Sequence, residues 1–484
     1  MKRAAETEMF SSRANIFYEH TIGVSAKVGG VFSEPFRKVR RVLAQHSTPF
    51  DETTHCNDAI SVAGKGVVRT WRPVATCHRA ELSSPALCSF TVCTYNILSQ
   101  SCLESTAELY EKCEKKHLTW QHRSCLLLKE LKTLNADIFC LQEVDHNTYS
   151  MFDVFFHKRK YKGVYKKRTG DKNDGCAVFW NRRKFSLVDS VAVEYFIPNT
   201  YVDRDNIGLL VKLRLKHTRK SFCLWRRGKK QDHYVIVANT HLLYNPRRGD
   251  IKLVQLCQLL AHLQKMAKRY LENGEPFCDP IVLCGDMNCT PVSPMCTFLT
   301  SGRLEYANMW RNSISGLGPV GGPLLSYPII PPTVGISELG CSFKVRSSPF
   351  KAETSNSPNF SAGTLAHSLS LSSAFDLHVP VEEKPVSTMV NGQSELVDFI
   401  FYGPSYDDIS TQSKKVILNC TANSSLLTKT QIMNTPTSSI SSWKTKQHRS
   451  RRLDALFCCR GIFDRSTVIR LNVAVKSSSP FQSC

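Results

Sequence analysis

The chain has 484 residues, of which 42% are hydrophobic and 10% aromatic; that is ample apolar mass for a sizeable core and excludes wholesale disorder. Lys and Arg number 63 against 41 Asp and Glu, a net charge of +22, which favours polyanionic partners such as nucleic acid or an acidic membrane surface. The longest apolar runs, at 207–211 and 399–402, fall far short of the ~20 residues of a membrane-spanning helix, so no membrane-spanning segment is expected, and of the two polyanions nucleic acid is taken as the partner and no membrane.

At the N-terminus, MKRAAETEMFSSRANIFYEH lacks the apolar core of a signal peptide, and Glu6, Glu8 and Glu19 argue against a transit peptide. The expectation is an intracellular protein of the cytoplasm or nucleus. Residues 1–85 mix charge, Ser, His and Pro without periodicity and read as a weakly ordered extension that closes on a docking segment, VVRTWRPV. The 20 cysteines are scattered, many inside apolar runs (Cys93, Cys140, Cys176, Cys284), and read as buried thiols rather than disulfides or zinc ligands.

From residue 86 to 408 the pattern predicts one α/β domain. Short β-branched or apolar runs end in polar groups: FTVCTYN, DIFCLQE, GCAVFWN, YVIVANTH, PIVLCGDMN and LVDFIFY. Between them, helical spacing of apolar residues predicts helices over 119–134 and 250–271, the second ending before Pro276. Such alternation implies sheets covered by helices. The Gly-, Pro- and Ser-rich stretch 311–380 predicts long surface loops. Residues 409–484 hold 12 Lys/Arg against 2 Asp/Glu, with a basic cluster at 444–452, and read as a basic, Ser/Thr-rich, disordered tail.

The strand ends carry the chemistry. Glu143 leaves an apolar run where a carboxylate can hold a hard cation such as Mg²⁺, although a glutamate there is also an ordinary solvated turn residue. Asp286 and Asn288, two apart, would project to one side of an extended chain and could orient a water and a phosphoryl oxygen; the plain alternative is a capped Gly-Asp turn. Asn239 and His241 share a strand face, where Asn239 is expected to bind substrate and His241 can donate to a phosphate oxygen, while Pro246 shapes the substrate-binding turn and Arg247 and Arg248 face phosphates. Asn96 could bond both a metal ligand and substrate. Asp398 is the lone polar group of an apolar strand and needs a partner. Arg168 and Lys172, with Lys166 and Lys167, would line a substrate groove.

In order and spacing these blocks, YNILSQ (95–100), ADIFCLQEV (136–144), RTGDKNDGCAV (168–178), DRDNIGLL (203–210), ANTHLLYNPRRGDIKL (238–253), PIVLCGDMN (280–288) and VDFIFY (397–402), resemble the Angel proteins of the deadenylase-like branch of the endonuclease/exonuclease/phosphatase superfamily. The resemblance implies a two-layer β-sandwich flanked by helices and a Mg²⁺-dependent phosphoesterase site acting on RNA. It further implies that Glu143 binds metal beside Asn96, that Asp286 and Asn288 activate and place water, that His241 binds phosphate and that Asp398 supports a final histidine in a closing S-D-H motif. That motif is absent: after Asp398 the sequence holds only His448, in KQHRS. The expectation is therefore an alternative C-terminal ending, a missing last strand and lowered turnover. The implied activity is 3′-to-5′ exonucleolysis of RNA, as of a deadenylase; the alternatives are a 2′,3′-cyclic phosphatase and a catalytically impaired RNA-binding protein. MVNGQSELV, before Asp398, offers no aromatic residue for adenine stacking, which weighs against deadenylation.

Overall fold

The strand CSFTVCTYN shows how the sequence builds the domain. Phe90 and Val92 face one way into a core between two sheets, while Cys93 and Tyr95 face the other way into a core under helices. A strand apolar on both faces must be covered on both. The computed structural model describes residues 71–73, 88–110, 113–216, 232–270, 274, 276–344, 363–375, 385–390, 393–404, 415–424 and 466–476.

In chain order the elements are β1 (Trp71–Pro73), β2 (Cys88–Asn96), α1 (Gln100–Ser105), α2 (Trp120–Leu134), β3 (Ile138–Asp145), α3 (Tyr149–Lys158), β4 (Tyr161–Lys167), β5 (Asp174–Asn181), β6 (Phe185–Glu194) and β7 (Ile207–Leu215). They continue with β8 (Tyr234–His241), α4 (Gly249–Ala267), β9 (Ile281–Asp286), α5 (Pro294–Ser301), β10 (Ser372–Ser373), β11 (Asp398–Gly403), β12 (Lys415–Ser424) and β13 (Ser466–Lys476). One sheet runs β1-β12-β13-β2-β3-β5-β4 and the other β10-β11-β9-β8-β7-β6. Their inner faces meet through Val92, Ile138, Val178, Val211, Val237, Val282 and Ile400. Helices α2 and α3 cover the first sheet, with Leu127, Leu131, Phe152 and Phe156 inward, and α4 and α5 cover the second. This is the two-layer sandwich flanked by helices.

Both predicted helices form. Helix α2 starts on the Thr119 hydroxyl, which accepts from His122 N at 3.4 Å, and stops at Asn135 in the left-handed region. Helix α4 buries Leu253, Leu256, Leu259, Leu260 and Leu263, each worth about 1.5–3 kcal/mol, but ends at Ala267. Lys268–Tyr270 instead pairs antiparallel with Pro276–Cys278.

Two expectations are corrected. The last strand is not missing and the tail is not wholly disordered. Lys415–Ser424 and Ser466–Lys476 pair with each other, and the second pairs with β2 from Cys88↔Val473 to Tyr95↔Ser466. The reason lies in period-2 patterning. Leu418, Cys420, Ile469, Leu471 and Val473 enter the core between the sheets, a pattern masked in the sequence by the basic, Ser-rich residues around it. Within VVRTWRPV, Trp71–Pro73 adds an edge strand to β12. The cluster 444–452 and His448 lie outside the described residues. The stretch 311–380 is also more than surface loop, since Ile314, Ile329, Ile330, Ile336 and Leu365 are buried in the core under α4.

Candidate active site

Three strands of the second sheet end level with one another. In the parallel pair β8/β9, His241 stands beside Asp286, and in the antiparallel pair β9/β11, Asp286 stands beside Asp398. The chain can close up there because of Gly285, whose φ of +146° and contact with the Thr240 carbonyl leave no place for a Cβ.

From the first sheet, β2 brings Asn96 and β3 brings Glu143. Pairing of β3 with β5 slips between Leu141 and Val144, and Glu143 takes a φ of +58°. A bulge of this kind re-aims a side chain, and a left-handed glutamate is uncommon enough to mark a constrained position. Asn96 Nδ2 then donates to Glu143 Oε1 at 2.7 Å and to Asp286 Oδ2 at 3.1 Å, while Ser99 N donates to Glu143 Oε2 at 3.0 Å. His241 lies across both carboxylates, with Nδ1 3.8 Å from Glu143 Oε1 and Nε2 3.7 Å from Asp286 Oδ2. Those separations are beyond hydrogen-bond reach, so acceptor positions on both carboxylates stay uncommitted.

Asp286 and Asn288 come together by a turn, not by extended alternation. Asn288 has a φ of +47°, its N–H donates to Asp286 Oδ1 at 3.0 Å, and its Nδ2 donates to Leu242 O at 2.9 Å. Asp398 is fully buried, and its N–H donates to Ser387 Oγ at 3.1 Å.

The expected substrate-binding residues divide. Asn239 does not face substrate. It is fully buried between the sheets, donating to Leu141 O and Ala177 O at 2.9 Å and accepting from Gln142 Nε2 at 2.6 Å. Arg168 is committed to Asp174, with Nε 3.0 Å from Oδ1, and Arg248 to Asp250, with Nε and Nη2 each at 3.0 Å. Arg247 and Lys172 are exposed and Pro246 is half-buried, on the loops that follow His241 and Arg168.

Several supporting residues escaped the sequence reading. Arg123 of α2 is fully buried and donates to the Ile97 and Leu98 carbonyls and, at 2.9 Å, to Gln100 Oε1. It thereby holds the loop whose Ser99 N–H reaches Glu143, and burial pulls its guanidinium down to about 10. Nothing in WQHRSC distinguishes it from a solvated helical arginine. Lys252 is also fully buried, donates to Asn288 O at 2.8 Å and is pulled down to about 8 by burial. Its signal was available, because 252, 256, 259 and 263 form one apolar stripe of α4 with a lysine in it. Cys102, near Glu143, is pushed up to about 12 by burial and by that carboxylate, so its thiol stays protonated.

The donor set suits a hard divalent cation. Among the described residues no three His, Cys, Asp or Glu side chains gather to enclose a metal, yet two buried carboxylates share one asparagine with acceptor positions to spare. Mg²⁺ asks for one or two carboxylates and keeps its remaining waters.

A model of the endonuclease/exonuclease/phosphatase family matches residues 93–406. The chain belongs to that family. It is 37% identical over 340 residues to protein angel homolog 2 of Homo sapiens, an alignment covering 66% of this chain and 60% of that one. With protein angel homolog 2 of Danio rerio it shares 38% over 335 residues, covering 67% and 56%. The chain thus spans about 60% of the length of these curated relatives. Its structure is similar to that of ANGEL2, a 2′,3′-cyclic phosphatase, solved with adenosine-2′,3′-vanadate. The TM-score is 0.63 and the identity 33%, with 84% of this chain and 99% of that one covered. Within the family the chain therefore sits with the Angel proteins of the deadenylase-like branch.

Proposed function

We propose that the protein is a Mg²⁺-dependent phosphoesterase that acts at RNA 3′ ends and hydrolyses a terminal 2′,3′-cyclic phosphate. The observation that carries the reading is the meeting of Glu143, Asp286 and His241 around Asn96 at the end of the sandwich. It is supported by similarity to a 2′,3′-cyclic phosphatase along nearly that chain's whole length and by the net charge of +22, which suits RNA.

Glu143, with Asp286 beside it, would hold the cation, which when bound neutralises charge on the phosphoryl oxygens. Asp286, held by Asn96 and by the Asn288 N–H, accepts a hydrogen bond from the attacking water and aligns it on phosphorus. His241 donates to a non-bridging oxygen as charge develops there. Lys252 fixes the turn through Asn288 O, and Arg123 fixes the loop behind Glu143.

Exonucleolytic removal of 3′ nucleotides is the second reading, because it too is attack of water on phosphorus. One observation favours it: Tyr244, three residues beyond His241, is 58% exposed and offers the aromatic surface that the segment before Asp398 lacks. Incubating the purified chain and Mg²⁺ with one RNA ending in a 2′,3′-cyclic phosphate and one oligoadenylate ending in hydroxyls separates them. The proposal expects one water to open the cyclic end of the first to a phosphomonoester and a second to release inorganic phosphate and leave a diol, with an unchanged length on the second. Shortening of the second with an untouched cyclic end would replace it by the exonuclease, and no change in either would leave an RNA-binding protein.

A further inference from the structure

At the opposite end of β4 and β5 from Glu143, a cavity of about 710 Å³ opens between the edges of the two sheets. Its wall carries Lys160, Lys162, Arg182, Arg183 and Lys216, with Trp180 among the lining residues and Asp153 as its carboxylate. Cations so gathered repel one another unless something anionic lies among them. Neighbouring lysines show how this surface otherwise settles its charge: Lys184 pairs with Asp137 at 2.7 Å and Lys166 with Glu194 at 2.6 Å. Among the described residues, none of the five cations round the cavity has a carboxylate within ion-pair distance.

Trp180 itself belongs to the core between the sheets and forms the cavity's apolar floor, so a ligand there meets the cations. The cations are held on an ordered frame, for Arg182 N donates to Lys160 O at 3.0 Å and Lys216 Nζ to Arg182 O at 2.7 Å. From the cavity, edge strand β4 leads back toward the active site and ends at Lys167. That strand is seven residues long, so the two places stand about 20 Å apart at ~3.3 Å per residue.

We infer that this cavity is a second RNA site, which takes phosphodiester groups of the substrate upstream of the 3′ end bound at Glu143. The inference rests on the proposed action at RNA ends. The cations supply charge to the phosphates without base readout. The enzyme accordingly distinguishes long RNA from short by affinity and not by sequence.

The double variant Lys160→Gln/Arg183→Gln removes two exposed charges outside the catalytic site. Its turnover is compared with that of the unaltered chain on a trinucleotide and on an RNA of about fifteen nucleotides, both ending in a 2′,3′-cyclic phosphate, while the salt dependence of binding is measured on the longer one. Loss of two phosphate contacts lowers the log-log salt slope by about 1.4 on single-stranded RNA. Alongside it, KM for the long RNA rises about tenfold with kcat kept, and the trinucleotide is processed as before. Equal effects on both substrates, or an unchanged salt slope, overturn the inference. If the unaltered chain hydrolyses neither RNA but the variant still lowers the slope, the catalytic reading fails and the second site stands.

Discussion

His241 and Asp286 end two parallel strands in the same register, and the ring Nε2 of the first stands 3.7 Å from Oδ2 of the second. The pairing of β8 with β9 therefore sets how a carboxylate and an imidazole stand to one another. The bulge in β3 then delivers Glu143 from the facing sheet. On the proposed reading, activity in this site should depend on backbone register as much as on side-chain identity.

Gly285 tests that dependence. Gly285→Ala places a Cβ against the Thr240 carbonyl at a left-handed φ, so the variant should lose about 1–3 kcal/mol of stability. Turnover should also fall further than unfolding alone explains, because Asp286 is displaced from His241. Thermal melts and initial rates below the transition read both; an unperturbed melt would show that the strands do not pack as closely as described.

Asn239 and Arg247, both expected at the substrate from ANTHLLYNPRR, part company in the structure: Asn239 is spent inside the sandwich and Arg247 stays exposed. Asn239→Ala leaves carbonyls and Gln142 without their partner inside the sandwich, and should cost about 1–3 kcal/mol with little change in KM. Arg247→Ala should leave the melting temperature in place and raise KM for RNA. The reverse pattern would return Asn239 to the substrate site.

Tyr244 should act as a base platform. Tyr244→Ala removes an exposed ring, so the fold is untouched, while each lost base–aromatic stack is worth about 1–3 kcal/mol of binding. KM for an oligonucleotide should rise by an order of magnitude; equal KM values for variant and parent would place the terminal base elsewhere.

Much of this was legible in the sequence because strand ends advertise themselves. Glu143, Asp286, His241 and Asp398 each follow or interrupt an apolar run, and all four occupy the same end of the sandwich. What was hidden depends on contacts between segments far apart in the chain. Asn239 looked like a partner of His241 because both lie on one strand, but its neighbours across the gap, Leu141 and Ala177, consume its amide. Arg123 and Lys252 support the site from helices, where sequence assigns charge to solvent. The final strands were concealed by composition, since basic and Ser-rich surroundings outweighed the alternation of Ile469, Leu471 and Val473.

The last strand also changes what the missing S-D-H motif means. Strand β13 begins beside Tyr95, and Thr467 faces Thr94 across the ladder, buried and with its hydroxyl lacking an acceptor or donor among the described residues. A buried threonine thus stands at the head of the last strand, and its partner Thr94 lies two residues before the strand end that carries Asn96. Converting Arg465, Ser466 and Thr467 to Ser, Asp and His should raise turnover by ~10²-fold, whereas deleting residues 409–484 should unfold the first sheet. A folded, active truncation would contradict the role of β13, and a folded triple variant with parental turnover would show that the chain needs no histidine there.

The most direct measurement is hydrolysis of an RNA ending in a 2′,3′-cyclic phosphate by the parent chain and by Glu143→Gln, each titrated with Mg²⁺ after chelation. A neutral amide keeps the bonds from Asn96 and Ser99 to carbonyl oxygen only in part and removes the charge that holds a cation. The parent should show saturable Mg²⁺-dependent product, and the variant, folded by its melting curve, should show none across the titration. Equal product from both proteins, or product from the parent in chelator, would contradict a metal-dependent site built on Glu143.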